Sequence, residues 1–225
     1  MRWLWWPIAL AALAVVVAVI GPWAYSRFVV GETGAAASFE VGGNTGAPQP
    51  GRWVVVTGAG GPQTQVGYTA RVRGPGAPEA PVSGSTGYVS GSVILAGDFV
   101  MQSDIAVDVT TVTSDSEQRD NIFRTLLAAD ADPVVRFVST EPIDIGSVPL
   151  DGRPGTVTAA GELIVAGQPH PVRFDMQVLR PGAQLVVAGS VPVRWSSFLG
   201  APLASGERSV EDAGTIDVRL TFARG

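Results

Sequence analysis

Apolar and polar residues alternate along two neighbouring stretches of the chain, residues 156–165 and 172–178. In the first stretch, one face carries Val157, Ala159, Gly161, Leu163 and Val165. In the second, the corresponding face carries Val172, Phe174, Met176 and Val178. A period of two on both sides of a Gly-Gln-Pro break predicts a β-hairpin with one buried face. Pro169 and Pro171 lack an amide donor, which suits the turn and its shoulders rather than a central rung.

The same alternation recurs through the rest of the chain after residue 51. It predicts further strands at residues 52–57, 65–73, 82–95, 98–112, 134–139, 142–145, 183–193 and 215–223. Along residues 98–112, for example, Ile105, Val107 and Val109 point to one side. A hairpin cannot bury its apolar face alone, so the strands must form a second sheet or a closed barrel. Glycines within residues 82–95 are typical of sharp strand coiling, and close approach of a ligand is the alternative.

The hydrophobic period changes to that of a helix between residues 114 and 127. Ser114 and Glu117 have the spacing of a capping box. The helical face over residues 118–127 carries Ile122, Phe123, Leu126 and Leu127. Asp132-Pro133 ends the pattern. The sequence therefore predicts one short helix within an all-β domain, and a long loop over residues 195–209.

The first 25 residues have a different pattern, an uncharged apolar run after Arg2 that ends at Trp23 and Tyr25. About 21 helical residues span roughly 30 Å, the thickness of the bilayer hydrocarbon core. Aromatic residues at both ends of the run are typical of the membrane interfaces. We therefore expect a transmembrane anchor at residues 1–27, a flexible linker at 28–51 and the β domain at 52–225, outside the cytoplasm. The alternative is a cleaved signal peptide with its apolar core at residues 8–20.

Composition and motifs exclude several classes of function. The formal net charge of −5 opposes nucleic-acid binding, and the absence of cysteine excludes thiol nucleophiles, disulfides and thiolate metal sites. His170 is the only histidine, and its neighbouring prolines indicate a solvated turn residue. Asp130 and Asp132 are interpreted as capping or solvated groups. The chain has no G-x-S-x-G, phosphate-binding glycine loop or H-E-x-x-H motif, so we expect no cofactor, metal or catalytic residue.

Several motifs along residues 52–225 carry a resemblance to a known family. They are Trp53 in the opening strand, the Gly/Ser-rich strand at 84–92, Arg119-Asp120 before the helix, Pro133-Val134-Val135-Arg136-Phe137, the hairpin residues Gly161, Leu163, Gly167, Pro171, Val172 and Phe174, and residues 210–222. Together they resemble the YceI-like proteins, which are lipocalin-like antiparallel β-barrels that hold polyisoprenoid chains. The resemblance implies a barrel of about eight strands with one short helix, and a long apolar lipid as its partner.

The resemblance also implies that inward side chains line a lipid cavity. The candidates are Leu95, Ile105, Val107, Phe123, Leu126, Phe137, Leu163, Phe174 and Met176. Periodicity does not distinguish a hollow barrel from a filled one, so the alternative is a cell-envelope structural or protein-interaction module. An enzyme has the least support. Arg119 and Asp120 are either contacts for a lipid head group or, the interpretation we favour, a structural ion pair or cap.

Overall fold

The computed structural model describes residues 49–57, 64–74, 79–127, 131–180, 183–199, 204–205 and 208–225. Its strands are β1 (Gly51–Val55), β2 (Gln65–Arg73), β3 (Ala80–Thr86), β4 (Val89–Ala96), β5 (Phe99–Asp108), β6 (Thr113–Ser114), β7 (Val134–Ser139), β8 (Ile143–Asp144), β9 (Gly155–Val165), β10 (Gln168–Leu179), β11 (Gln184–Arg194), β12 (Ala204–Ser205) and β13 (Arg208–Arg224). The helices within these ranges are α1 (Glu117–Leu126) and α2 (Trp195–Leu199), with a 3₁₀ turn at Val109–Thr111. The predicted anchor at residues 1–27 lies outside the described residues. Among those described, no helix has the length and hydrophobicity to cross a membrane.

The strands form a closed antiparallel barrel. Four positions in the barrel are each filled by two short strands that follow one another in the chain: β1 and β2, β3 and β4, β5 and β6, and β7 and β8. For example, β1 and β2 both pair with β13, and β7 and β8 both pair with β5. In the same way, β3 and β4 lie beside β2 and β1, and β5 and β6 lie beside β4 and β3. Together with β9, β10, β11 and β13 they follow one another around the ring in chain order. Pairing of β13 with β1 and β2 closes it. The predicted antiparallel barrel of about eight strands is confirmed, but the described chain has a second short helix, α2, besides the one predicted.

A buried threonine bridges the interruption between β1 and β2. The Thr64 hydroxyl donates to the carbonyl of Val56 at 2.7 Å and accepts the N–H of Thr221 at 3.1 Å. The hydroxyl thus replaces a missing rung of the ladder against β13, which keeps the buried backbone groups hydrogen-bonded. A second local adjustment lies in β4, where Gly91 has a φ of +138° and a Cβ would collide with the carbonyl of Asp104 on β5. This glycine serves strand coiling, as predicted, because the strand and not a ligand approaches it.

The barrel has two different ends. At one end, which we call the floor, Trp53, Leu95 and Phe222 pack with the segment that follows β8, including Ile145 and Val148. All five are at most 2% exposed. The amide of Ile145 donates to the carbonyl of Asp98 at 2.8 Å, which fixes this segment against the β4–β5 turn. At the opposite end, which we call the helix end, α1 and α2 lie against a smaller apolar cluster around Tyr68.

The central hairpin has the predicted faces but a tighter turn. Ala166 and Gly167, with φ of 49° and 73°, form a two-residue connection, and β10 starts directly at Gln168. Positive φ at both positions is the signature of a type I′ turn, which matches the twist of the flanking strands. Pro169 and Pro171 therefore lie within a strand, paired with Ile164 and Glu162, rather than in the turn.

Other element boundaries also differ from the sequence prediction, and the predicted strand at 82–95 is two strands, β3 and β4. The N-cap of α1 is Ser116, whose hydroxyl accepts the amide of Arg119 at 3.4 Å, whereas Ser114 belongs to β6. The predicted strand at 98–112 ends at Asp108, whose carboxylate accepts the amide of Thr110 and starts the 3₁₀ turn. The predicted loop at 195–209 begins with α2 and contains β12.

Candidate functional site

An apolar cavity of about 280 Å³ occupies the barrel between the floor and the helix end. The walls come largely from inward side chains of the strands. At the helix end, Ile122, Phe123 and Leu126 of α1 and the following Leu127 contribute. Among the lining residues, Ser103 and Arg119 are polar, and Tyr68 and Trp195 combine an aromatic ring with a polar atom. The other lining residues are apolar or glycine. The cavity is therefore suited to a hydrocarbon chain with few polar groups.

Eight of the nine candidate lipid-binding residues line this cavity. They are Ile105, Val107, Phe123, Leu126, Phe137, Leu163, Phe174 and Met176. Phe137 and Phe174 meet edge to face, with ring centroids 5.6 Å apart. Leu95 is different, because it is 1% exposed and belongs to the packed core near the floor. Binding of a ligand by the eight residues remains a prediction.

Three aromatic rings cross the helix end of the cavity. Tyr68 of β2 stacks on Phe123 of α1, with centroids 4.5 Å apart, and Trp195 meets Tyr68 edge to face at 6.4 Å. Two glycines make room for them, since a Cβ at Gly84 would overlap the Tyr68 ring and one at Gly214 would overlap Trp195. The sequence reasoning missed Tyr68 and Trp195. The apolar–polar alternation of residues 65–73 would have placed Tyr68 on the inward face of its strand. Trp195 lay in a segment that we predicted to be a loop.

The position of Trp195 depends on a carboxylate from β13. Asp212 accepts the amide of Ser196 at 2.7 Å and its hydroxyl at 2.9 Å, so both oxygens hold the start of α2. These hydrogen bonds, with the nearby Arg194, keep the pKa of Asp212 below its usual value. The ionised Asp212 therefore fixes the short helix whose first residue closes part of the cavity.

Arg119 and Asp120 do not pair with each other. Arg119 forms an ion pair with Asp115, whereas the buried Asp120 accepts the hydroxyl of Ser114 at 2.6 Å. Arg119 also donates to the Ser114 hydroxyl at 3.3 Å, so Ser114 links the two side chains. The pairing of Arg119 agrees with the structural ion pair that we favoured, but its partner is different. Arg119 also lines the cavity, so its side chain contacts the binding space as well as Asp115.

His170 is not a solvated turn residue, contrary to the sequence interpretation. It lies on the inward face of β10, half-buried, with its ring 4.9 Å from the ring of Phe198 on α2. Its Nε2 atom is buried without a hydrogen-bond partner in the structure as described. The ring contact joins the start of β10 to α2 at the helix end.

The barrel wall is incompletely hydrogen-bonded between β10 and β11. The two strands pair only over Gln177–Leu179 and 186–188, whereas β9 and β10 pair along their whole shared length. In the type I′ turn the N–H of Gln168 points to β9, so by alternation the nitrogens of Pro169 and Pro171 point to β11. The same alternation, counted from the Gln177–Ala188 pair, directs Pro192 to β10. Three positions that face the gap between β10 and β11 therefore lack an N–H donor. We call this gap, between residues 168–176 and 189–194, the seam.

Gly161 lies on the inward face of β9, as the alternation predicted, but there is no open space beside it. A Cβ there would lie 2.6 Å from the Phe137 ring and would collide with the carbonyl of Val138. The Phe137 ring occupies this space. A larger residue at position 161 would therefore disrupt the sheet rather than extend into the cavity.

Among the described residues, no group of three or more His, Asp or Glu side chains is placed to hold a metal ion. Of the polar lining residues, Arg119, Tyr68 and Trp195 lie at the helix end. The arrangement can bury an apolar chain and contact a polar group at one end.

Comparison with protein families agrees with this geometry. The model of the YceI-like domain matches residues 62–222. The chain belongs to the YceI-like family. The matched range includes every residue that lines the cavity. No curated protein sequence matches the chain.

Two solved structures share the YceI-like barrel. BcnA of Burkholderia cenocepacia aligns with a TM-score of 0.55 and 19% identity, over 70% of this chain and 95% of that one. A polyisoprenoid-binding domain from Saccharophagus degradans, implicated in plant cell wall breakdown, aligns with a TM-score of 0.57 and 13% identity, over 79% and 100%. At these identities the likeness establishes the fold.

Proposed function

We propose that this YceI-like barrel binds one long apolar lipid chain, a polyisoprenoid or a related lipid, without catalysis. The observation that carries the proposal is the cavity, whose walls are apolar from the floor to α1. A filled structural barrel, the alternative from the sequence, would leave no such space. The structural neighbour from Saccharophagus degradans, a polyisoprenoid-binding domain, supports this choice of ligand class.

The binding energy in this proposal comes from removal of apolar surface from water. At about 25 cal/mol per Å², each 100 Å² of chain surface contributes roughly 2.5 kcal/mol, less the cost of ordering the chain. Such contacts have little directionality. We therefore expect the walls to select for a slender apolar chain rather than for one particular lipid.

We further propose that the N-terminal run tethers the barrel to the cell membrane, with the barrel outside the cytoplasm. The length of the run and its flanking aromatic residues support this location. A tethered barrel would exchange a lipid with the adjacent bilayer over a short distance. Fractionation with protease protection of whole cells tests this part separately from lipid binding.

Lipid extraction and mass spectrometry of the full chain, purified in amphipol, test the binding proposal. We expect a long-chain apolar lipid in about equimolar amount, and saturable binding of a fluorescent prenyl analogue after delipidation. Bulk membrane phospholipid without an enriched species, together with no saturable prenyl binding, would contradict the proposal.

A further inference from the structure

The cavity has one polar position, at the helix end. Arg119 is the only charged residue among the lining residues of the described chain, and its side chain is 27% exposed. Its Nη1 atom donates to Ser114 and to Asp115. Its Nε and Nη2 atoms make no hydrogen bond with any residue that the structure describes. A guanidinium held on one side, with free donors on the other, can bind an oxygen acceptor.

Tyr68 adds a second polar group at the same end. Its ring is fixed by the stack on Phe123 and the edge contact with Trp195, and the residue is 8% exposed. Its hydroxyl has no hydrogen-bond partner in the described ranges. Burial raises the pKa of Tyr68, opposed by the nearby positive charge of Arg119. The hydroxyl is therefore a neutral donor close to the guanidinium.

The local charge limits what the head group can be. On and just before α1, three acidic residues, Asp115, Glu117 and Asp120, outnumber two basic ones, Arg119 and Arg124. Asp120 is buried, so its charge is weakly screened. Repulsion by these carboxylates grows with the charge of the head group, so it opposes a head group with several negative charges more than a singly charged or neutral oxygen group.

We propose that Arg119 and Tyr68 form a head-group subsite for an amphiphile with a compact oxygen acceptor, a carboxylate or a carbonyl, at one end of its apolar chain. The chain then runs from α1 towards the floor, along Phe174 and Met176. This proposal rests on the proposed lipid-binding function and adds the orientation and head chemistry of the ligand.

The test compares probes with the same C20 prenyl chain. Geranylgeranoic acid, the corresponding headless hydrocarbon and geranylgeranyl diphosphate are delivered from one cyclodextrin carrier to the full chain, and displacement of a fluorescent reporter gives their affinities. We expect the acid to bind about tenfold or more tightly than the hydrocarbon, because one hydrogen bond to a charged group changes the affinity about tenfold or more. The diphosphate should bind more weakly than the acid.

Variants assign the preference to the two residues. Arg119→Met, which keeps the aliphatic stem, should remove most of the preference for the acid, measured as the ratio of the affinities for acid and hydrocarbon in the same variant. Tyr68→Phe should reduce it severalfold. Arg124→Met is the matched control, because Arg124 is on the same helix but does not line the cavity, and it should leave the preference intact. Circular dichroism and thermal unfolding show whether each variant is folded.

The outcomes separate this inference from the proposed function. Equal affinity for the acid and the hydrocarbon would overturn the subsite and leave lipid binding standing. A preference that survives Arg119→Met, or tighter binding of the diphosphate, would also overturn it. If no prenyl probe binds the wild-type chain, both proposals fail.

Discussion

At the scale of single residues, one carboxylate controls an aromatic wall of the cavity. Asp212 binds both the amide and the hydroxyl of Ser196, and α2 begins with Trp195 beside them. The pKa of Asp212 is lowered in the folded protein, chiefly by the Ser196 amide. A lowered pKa means that this contribution is fully present above the unfolded value, about 3.9, and is lost as pH falls through the folded value.

We therefore expect Trp195 to become mobile as the pH falls through the lowered pKa of Asp212, below the value for the unfolded chain. Asp212→Asn should produce the same change at neutral pH, because the amide cannot accept both hydrogen bonds. The measurement is ¹⁹F NMR of the chain labelled with 5-fluorotryptophan, with the Trp195 signal assigned by Trp195→Phe. Asp217→Asn, another β13 carboxylate with hydroxyl partners on neighbouring strands, is the control. A sharp, unshifted Trp195 signal in Asp212→Asn would show that α2 does not need this contact.

At the scale of elements, the seam between β10 and β11 is the weakest part of the wall that the structure describes. Pro169, Pro171 and Pro192 place three ring nitrogens where amides would otherwise close the ladder. At the helix end of this seam, the rings of His170 on β10 and Phe198 on α2 are in contact. Amide exchange depends on local opening, so strands that are hydrogen-bonded on one side only should exchange faster.

Hydrogen–deuterium exchange should therefore be faster at Arg173 and Asp175, whose amides face the seam, than at Asp217 or Arg219, which have strand partners on both sides in β13. Pro192→Thr restores a donor towards β10 and should slow exchange at residues 173–175. Pro149→Thr, in the turn region outside the ladder, controls for the loss of a proline. If residues 173–175 are already as protected as β13 in the wild type, the seam is closed in solution.

The sequence was informative about faces and less so about where strands break. The alternation placed Ile105, Val107, Phe174 and Met176 inward, because a side chain on a strand has only two directions. The break between β1 and β2 depends on Thr64 reaching Val56 and Thr221, a contact over more than 150 residues of chain. Local patterns do not contain such pairings. The same limit explains His170, whose neighbour Phe198 comes from a segment that we expected to be a loop.

At the scale of the whole molecule, closure of the barrel follows from the number of strands, but the hollow interior does not. Eight strands enclose a space that side chains can fill or leave open, and the alternation is identical in both cases. The difference lies in the sizes of inward residues at particular levels. Gly189 and Val218 pair across β11 and β13, Val66 follows on β2, and all three line the cavity. This side of the barrel thus leaves room that larger residues would take.

That room can be tested with one substitution, Val218→Trp. The indole would extend over Gly189 into the cavity, so the domain should keep its stability or gain about 0.5–2 kcal/mol, as cavity-filling changes commonly do. Binding of a prenyl probe should be lost, because the ring occupies the path of the chain. Ile164→Trp, on the outward face of β9, adds an indole outside the barrel and should leave binding unchanged.

Thermal unfolding and probe titration of the same samples separate the possible results. If the interior at this level were already filled, Val218→Trp would cost about 1–3 kcal/mol from overpacking. A stable variant that still binds the probe would show that the lipid lies elsewhere. Only a stable variant without binding agrees with a hollow barrel whose space is the binding site, and that combination is the outcome we expect.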